Sequence, residues 1–122
     1  MRWVVHGNLT GAVADALRRH EHDPRPVTDL GLSSDVAPRE FFKAAQSKQL
    51  DVITSDAALI NAIFDDKIAF NRAVVYLQLE GSDVEHDDAI DRLFQRYKRL
   101  SPGRLYTVTG SRVKVRQLPG RK

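Results

Sequence analysis

The chain is predicted to be an α/β protein in which a mostly parallel sheet, covered by helices on both faces, ends in an antiparallel hairpin. Three observations predict this. Short apolar runs alternate with stretches of helical period along the whole chain. The connections between the runs have crossover length, which favours parallel pairing. Only the last segment differs, with two alternating runs joined at Gly110-Ser111.

Residues 2–6 (RWVVH) are the first expected strand. Leu9, Ala12, Val13, Ala16, Leu17 and His20 recur at helical spacing, so a helix is expected over 9–20. Pro24 bars its continuation, and Val27 is expected in a short extended piece before the turn-rich Gly31-Leu32-Ser33-Ser34. Pro38 suits the first turn of a second helix, 38–48, with Phe41, Phe42 and Ala45 facing inward. Residues 50–54 read as the next strand, after which Ser55 or Asp56 can cap a helix carrying Leu59, Ile60, Ile63 and Phe64. Residues 73–79 (AVVYLQL) are the most strand-like segment, and 85–99 form a helix with Ile90, Leu93, Phe94 and Tyr97 on one stripe. Ser101-Pro102-Gly103 stops it, and strands over 105–109 and 112–116 close the chain. With no repeat, low-complexity tract or linker, residues 1–122 are expected to form one domain.

Composition narrows the function. Apolar runs of four to six residues are too short to span a bilayer, and no signal peptide is expected. The absence of cysteine rules out disulfides and thiolate chemistry, and a cytoplasmic location is expected. Charge is lopsided: residues 1–91 hold 9 Lys/Arg and all 16 Asp/Glu, a net −7, whereas residues 92–122 hold 10 Lys/Arg and no acid. Such a basic quarter suits a polyanion, with RNA and DNA the common candidates, and reads equally as a solvated face or a contact with an acidic partner. Arg112, Lys114 and Arg116 share one strand face at period two, with Arg104 nearby in sequence.

Sites in open α/β sheets lie beyond the C-terminal strand ends. There the chain offers His6, Asn8 and Asp56, and Glu40 in the first turn of its helix can reach the same rim. Two carboxylates with a His or an Asn amide suit Mg²⁺ or Mn²⁺, which would hold a phosphodiester and activate water. Helix capping explains Asp56 and Glu40 equally well. His20-Glu21-His22-Asp23 is read as a helix-end structure rather than a metal cluster, and His86 as a solvated residue without a specific role. No P-loop, dinucleotide motif or Ser-His-Asp order is present.

The segments "VVHGNLTGAVADALRRHEHD", "LGLSSDVAPREFFKAAQSKQLDVITSD", "AVVYLQL" and "GRLYTVTGSRVKVRQLP" occur in the order of the small PIN-like nucleases, which the chain resembles over nearly its whole length. The resemblance implies a three-layer α/β/α sandwich and an Mg²⁺- or Mn²⁺-dependent endoribonuclease, of the kind that serves as the toxin of a toxin–antitoxin pair. It implies metal-site roles for Glu40 and Asp56, and matches Asn8 to the asparagine of the opening motif. Two positions depart from it. His6 stands where the first aspartate is expected, and Ala58 where a Thr-x-Asp-x-Asp motif has its second. An imidazole binds Mn²⁺ but serves Mg²⁺ poorly. Asp65, Asp66 and Asp83 are the candidates to compensate. The alternative is a catalytically inactive PIN-like domain that binds nucleic acid or protein. A third reading is an interaction subunit whose hairpin docks on an acidic antitoxin or a second copy of the chain.

Overall fold

The computed structural model describes residues 1–7, 9, 11–32, 36–79 and 82–119. Six strands form one sheet: β1 (Arg2–His6), β2 (Asp23–Pro26), β3 (Asp51–Thr54), β4 (Val74–Leu77), β5 (Arg104–Val108) and β6 (Val113–Gln117). The helices are α1 (Gly11–Arg19), α2 (Pro38–Ser47), α3 (Ala57–Asp65) and α4 (Asp83–Arg96), with a 3₁₀ turn at Val27–Leu30. The spatial order is β2-β1-β3-β4-β5-β6; all pairs are parallel except the β5–β6 hairpin. The fold is therefore α/β and mostly parallel, as expected. Among the described residues no helix is long and apolar enough to cross a membrane.

Period-two alternation divides the core into two layers. Trp3, Ile53, Val75, Leu77, Tyr106 and Val108 face α1 and α4, while Val4, Val52, Val74 and Leu105 face α2 and α3. β3 is buried at all four positions, so the middle of the sheet has no solvent face. This arrangement has a consequence for chain direction. The α3 and α4 crossovers step the same way across the sheet but cover opposite faces, so they have opposite hand. The α1, α2 and α3 crossovers share one hand, and α4 is the exception, a rare connection. With α4 beside α2 and α3, α1 alone would have to cover the other face.

Local signals explain most element ends. Asp56 caps α3 by accepting from the Ala58 amide at 2.9 Å, and Ser82 caps α4 by accepting from the Glu85 amide at 3.1 Å. Pro38 opens α2. Two expectations are corrected. The extended piece is Asp23–Pro26, not Val27, which begins the 3₁₀ turn. Its two prolines are tolerated because β2 is an edge strand. His86 is 1% exposed rather than solvated: it lies on the inward stripe of α4, four residues before Ile90.

At the opposite end of the sheet from the strand C-termini, Asp51 opens β3 at 2% exposure. Its carboxylate accepts from the Ala73 amide at 2.9 Å and from Arg72 at 3.3 Å, tying β3 to the entry of β4. Burial raises its pKa, against the lowering pull of the Ala73 N–H and the Arg72 charge. Asp51→Ala strands both donors, and urea unfolding is expected to show a loss of about 1–3 kcal/mol; an unchanged midpoint would remove this tie from the account.

Candidate functional site

Chain direction reverses between β1 and β3: from β1 the chain turns to β2, and from β3 it steps toward β4. The crevice beyond their C-terminal ends is the topological switch point, the usual ligand position in open sheets. His6 and Thr54 are register partners at that rim. His6 Nδ1 lies 2.9 Å from Thr54 Oγ1, which also accepts from the Asp56 amide at 3.0 Å. The His6 ring packs at 4.9 Å, centroid to centroid, on Phe41 in the first turn of α2. One threonine hydroxyl thus fastens the histidine to the strand–helix turn that carries Asp56.

Burial lowers the His6 pKa, with the Asp56 charge pulling it back up, so the imidazole is held toward its neutral form. Thr54 is fully buried, and its oxygen already receives the Asp56 N–H. The direction of the His6–Thr54 bond depends on the imidazole tautomer, since the hydroxyl has a second lone pair, and in both tautomers Nδ1 is engaged. Gly7 follows with φ +89°, and a Cβ there would stand 3.0 Å from Ser55 Oγ.

The sequence-predicted residues divide as follows. His6 and Asp56 meet at the rim, and the first turn of α2 lies over them through Phe41. Glu40, in that same turn, is exposed. Asn8 lies outside the described residues. Asp65 and Asp66 end α3, about 14 Å of helix away from Asp56 at its start. Asp83 opens α4, over the other face of the sheet. Among the described residues, no three His, Asp or Glu side chains come together as a metal-holding group. Of the described donors, His6 is bonded at Nδ1, one Asp56 oxygen caps α3, and Glu40 is exposed.

The basic residues do not form one patch either. Arg112 lies in the β5–β6 turn at the rim end, Lys114 pairs with Thr107 mid-strand, and Arg116 pairs with Leu105 lower down. Arg104 begins β5 at the far end of the sheet. All four are exposed, strung along the edge rather than gathered at the rim. Arg116 stacks on the Phe64 ring of α3 at 4.0 Å. Four strand spacings, roughly 19 Å, separate β1 from β6.

The histidine-rich end of α1 has a structural role, as expected. His22 Nδ1 accepts from Trp3 Nε1 at 3.0 Å, and its ring stacks on Phe94 at 4.4 Å. His20 Nε2 lies 2.8 Å from Asp91 on α4. Burial, the N-terminal charge and His20 lower the His22 pKa from 6.5 to about 4.

Two predictions follow from these contacts. Gly7→Ala, which forces a side chain into the left-handed region, is expected to cost about 1–2 kcal/mol. Combining it with Ser55→Ala relieves only the clash, so a full rescue in the double variant would refute the backbone argument. In an NMR titration His22 is expected to show its midpoint near 4. The unfolded chain takes up this proton near 6.5 and the folded one only near 4, so stability falls as pH drops through that window and is flat from this group above it. A His22→Gln variant that kept the same decline in melting temperature would exclude His22 as its source.

Comparisons of the chain with protein-family models, with curated proteins and with solved structures found no match.

Proposed function

We propose that the chain is a PIN-like domain that binds RNA along its basic edge and lacks an assembled metal centre. The observation that carries this reading is the exposed edge strand β6, where Lys114 and Arg116 follow Arg112 without an ion pair to any described residue. An edge of uncompensated cations on an otherwise acidic chain suits a phosphate backbone, which is held by charge rather than by sequence. The rim supports binding over cleavage. At the position of the family's first acid stands a neutral imidazole bonded to Thr54, and the acid beside it caps a helix.

A second reading, the metal-dependent ribonuclease of toxin type, is favoured by one observation. His6 and Asp56 share Thr54 at the switch point, where a site of this fold class belongs. The partner would then be RNA, with an antitoxin as regulator.

The test is filter binding of a mixed RNA pool across a salt series, with cleavage followed in Mn²⁺, in Mg²⁺ and in EDTA. Binding is expected to weaken steeply with salt, and Lys114→Gln and Arg116→Gln each to lower the slope by about one. Intact RNA under all three conditions fits the binding module. Metal-dependent cleavage lost in Asp56→Ala would replace it with the nuclease, and cleavage gained only in His6→Asp would identify a nuclease disabled at one ligand. Binding that ignores salt and both basic-edge variants would refute the RNA reading.

A further inference from the structure

The last turns of α4 and the β5–β6 turn enclose a cleft of about 320 Å³ lined by Arg92, Gln95, Arg96, Ser111, Arg112 and Val113. We propose that this cleft is a binding site for a phosphate monoester. Three arginines, a glutamine, a serine and a valine line it, and no acidic residue does. None of the three arginines forms an ion pair with a described residue. Of the acids along α4, Asp87 and Asp91 pair with Arg19 of α1, at 2.7 and 3.0 Å, and Asp88, one turn before Arg92, is exposed and does not line the cleft.

Arg92 supplies the independent observation. One of its terminal nitrogens donates to the Thr109 carbonyl, which fixes the guanidinium between helix and hairpin. Its Nε is buried and has no hydrogen-bond partner. Buried donors are ordinarily satisfied, so an unpartnered N–H on a fixed cation is a cost, which an anion in the adjoining cleft offsets through its charge. The other orphan of this kind, Arg72 Nε, already has the Asp51 carboxylate beside its own guanidinium. Guanidinium forks match tetrahedral oxyanions with paired N–H···O bonds, and a terminal phosphate offers more oxygens and charge to three of them than a diester does. The site goes beyond the RNA reading and stands without it, because a free nucleotide or phosphate ion meets the same chemistry.

The test uses the full chain. Calorimetric titrations take inorganic phosphate, AMP, and one short oligoribonucleotide with either a 5′-phosphate or a 5′-hydroxyl, while the arginine Nε–H signals are followed by NMR. Saturating phosphate is expected to shift the Arg92 Nε–H signal. Arg96→Gln and Arg112→Gln are each expected to weaken phosphate binding about tenfold, with Lys43→Gln on α2 unchanged. Arg92→Lys, which keeps the charge but loses the Nε–H, separates the donor from the field and is expected to lose affinity as well. Tighter binding of the 5′-phosphorylated strand than of AMP assigns the source to a strand end; equal binding assigns it to a free monoester. No affinity for any phosphorylated probe, an unmoved Arg92 signal at saturation, or equal affinity in the Arg96→Gln/Arg112→Gln double variant would each overturn the site.

Discussion

The middle of this sheet cannot face water on either side, and much else follows from that constraint. β3 is buried at every position, and β1 buries Trp3 on one face and Val4 on the other. Parallel strands of this kind need a helical layer above and another below. Three crossovers of one hand put α1 alone on the first face and α2 with α3 on the second. The fourth helix must then go to the underfilled side. Burial of Ala89, Ile90, Leu93 and Phe94 against Trp3, Leu17 and Tyr106 outweighs the usual preference for crossover hand.

The placement of α4 shapes the surface as well as the core. It sets the end of the helix against the hairpin turn, where Arg92 reaches the Thr109 carbonyl. It also sets the middle of the helix against α1, where Asp87 and Asp91 meet Arg19 and His20. One amphipathic helix thereby carries two of its acids toward one neighbour and its arginines toward another. At its ends the charges agree with the helix dipole, with Asp83 and Glu85 in the first turn and Arg96 in the last.

Much of the architecture was legible because it is written in periods. The apolar run at 73–79 and the stripe of Ile90, Leu93 and Phe94 specify strand and helix locally, and the hairpin announces itself at Gly110-Ser111. β2 was not legible. Asp-Pro-Arg-Pro carries no strand signal and is extended because it pairs alongside β1, a non-local cause. His86 was legible and misread: the acids around it suggest solvent, but its spacing to Ile90 places it on the buried stripe. At the rim, the meeting of His6 and Asp56 could be read from two parallel strand ends. The hydroxyl that joins them could not, since Thr54 reads in sequence only as a β-branched strand residue. The separation of Arg104 from Arg112 follows from strand direction, which sequence proximity hides. The convergence of Arg112 with Arg92 and Arg96 was hidden for a different reason, since it depends on the hand of a crossover.

Clustering three arginines is not neutral for stability. Like charges in one cleft repel, and at physiological salt that repulsion is screened only beyond about 8 Å. Of the acids that could relieve it, Asp87 and Asp91 are held by α1 and Asp51 by Arg72 at the far end of the sheet, and the exposed Asp88 does not line the cleft. A cleft that concentrates cations, buries one donor without an acceptor and holds its central guanidinium by a backbone carbonyl is stabilised by an anion more than by any rearrangement of its own side chains. The same physics treats the switch point in the opposite way. There His6 holds Thr54 through Nδ1 and Asp56 caps α3 through one oxygen, a histidine beside an acid rather than a cluster of like charges, so that rim has less to gain from an anion than the arginine cleft does.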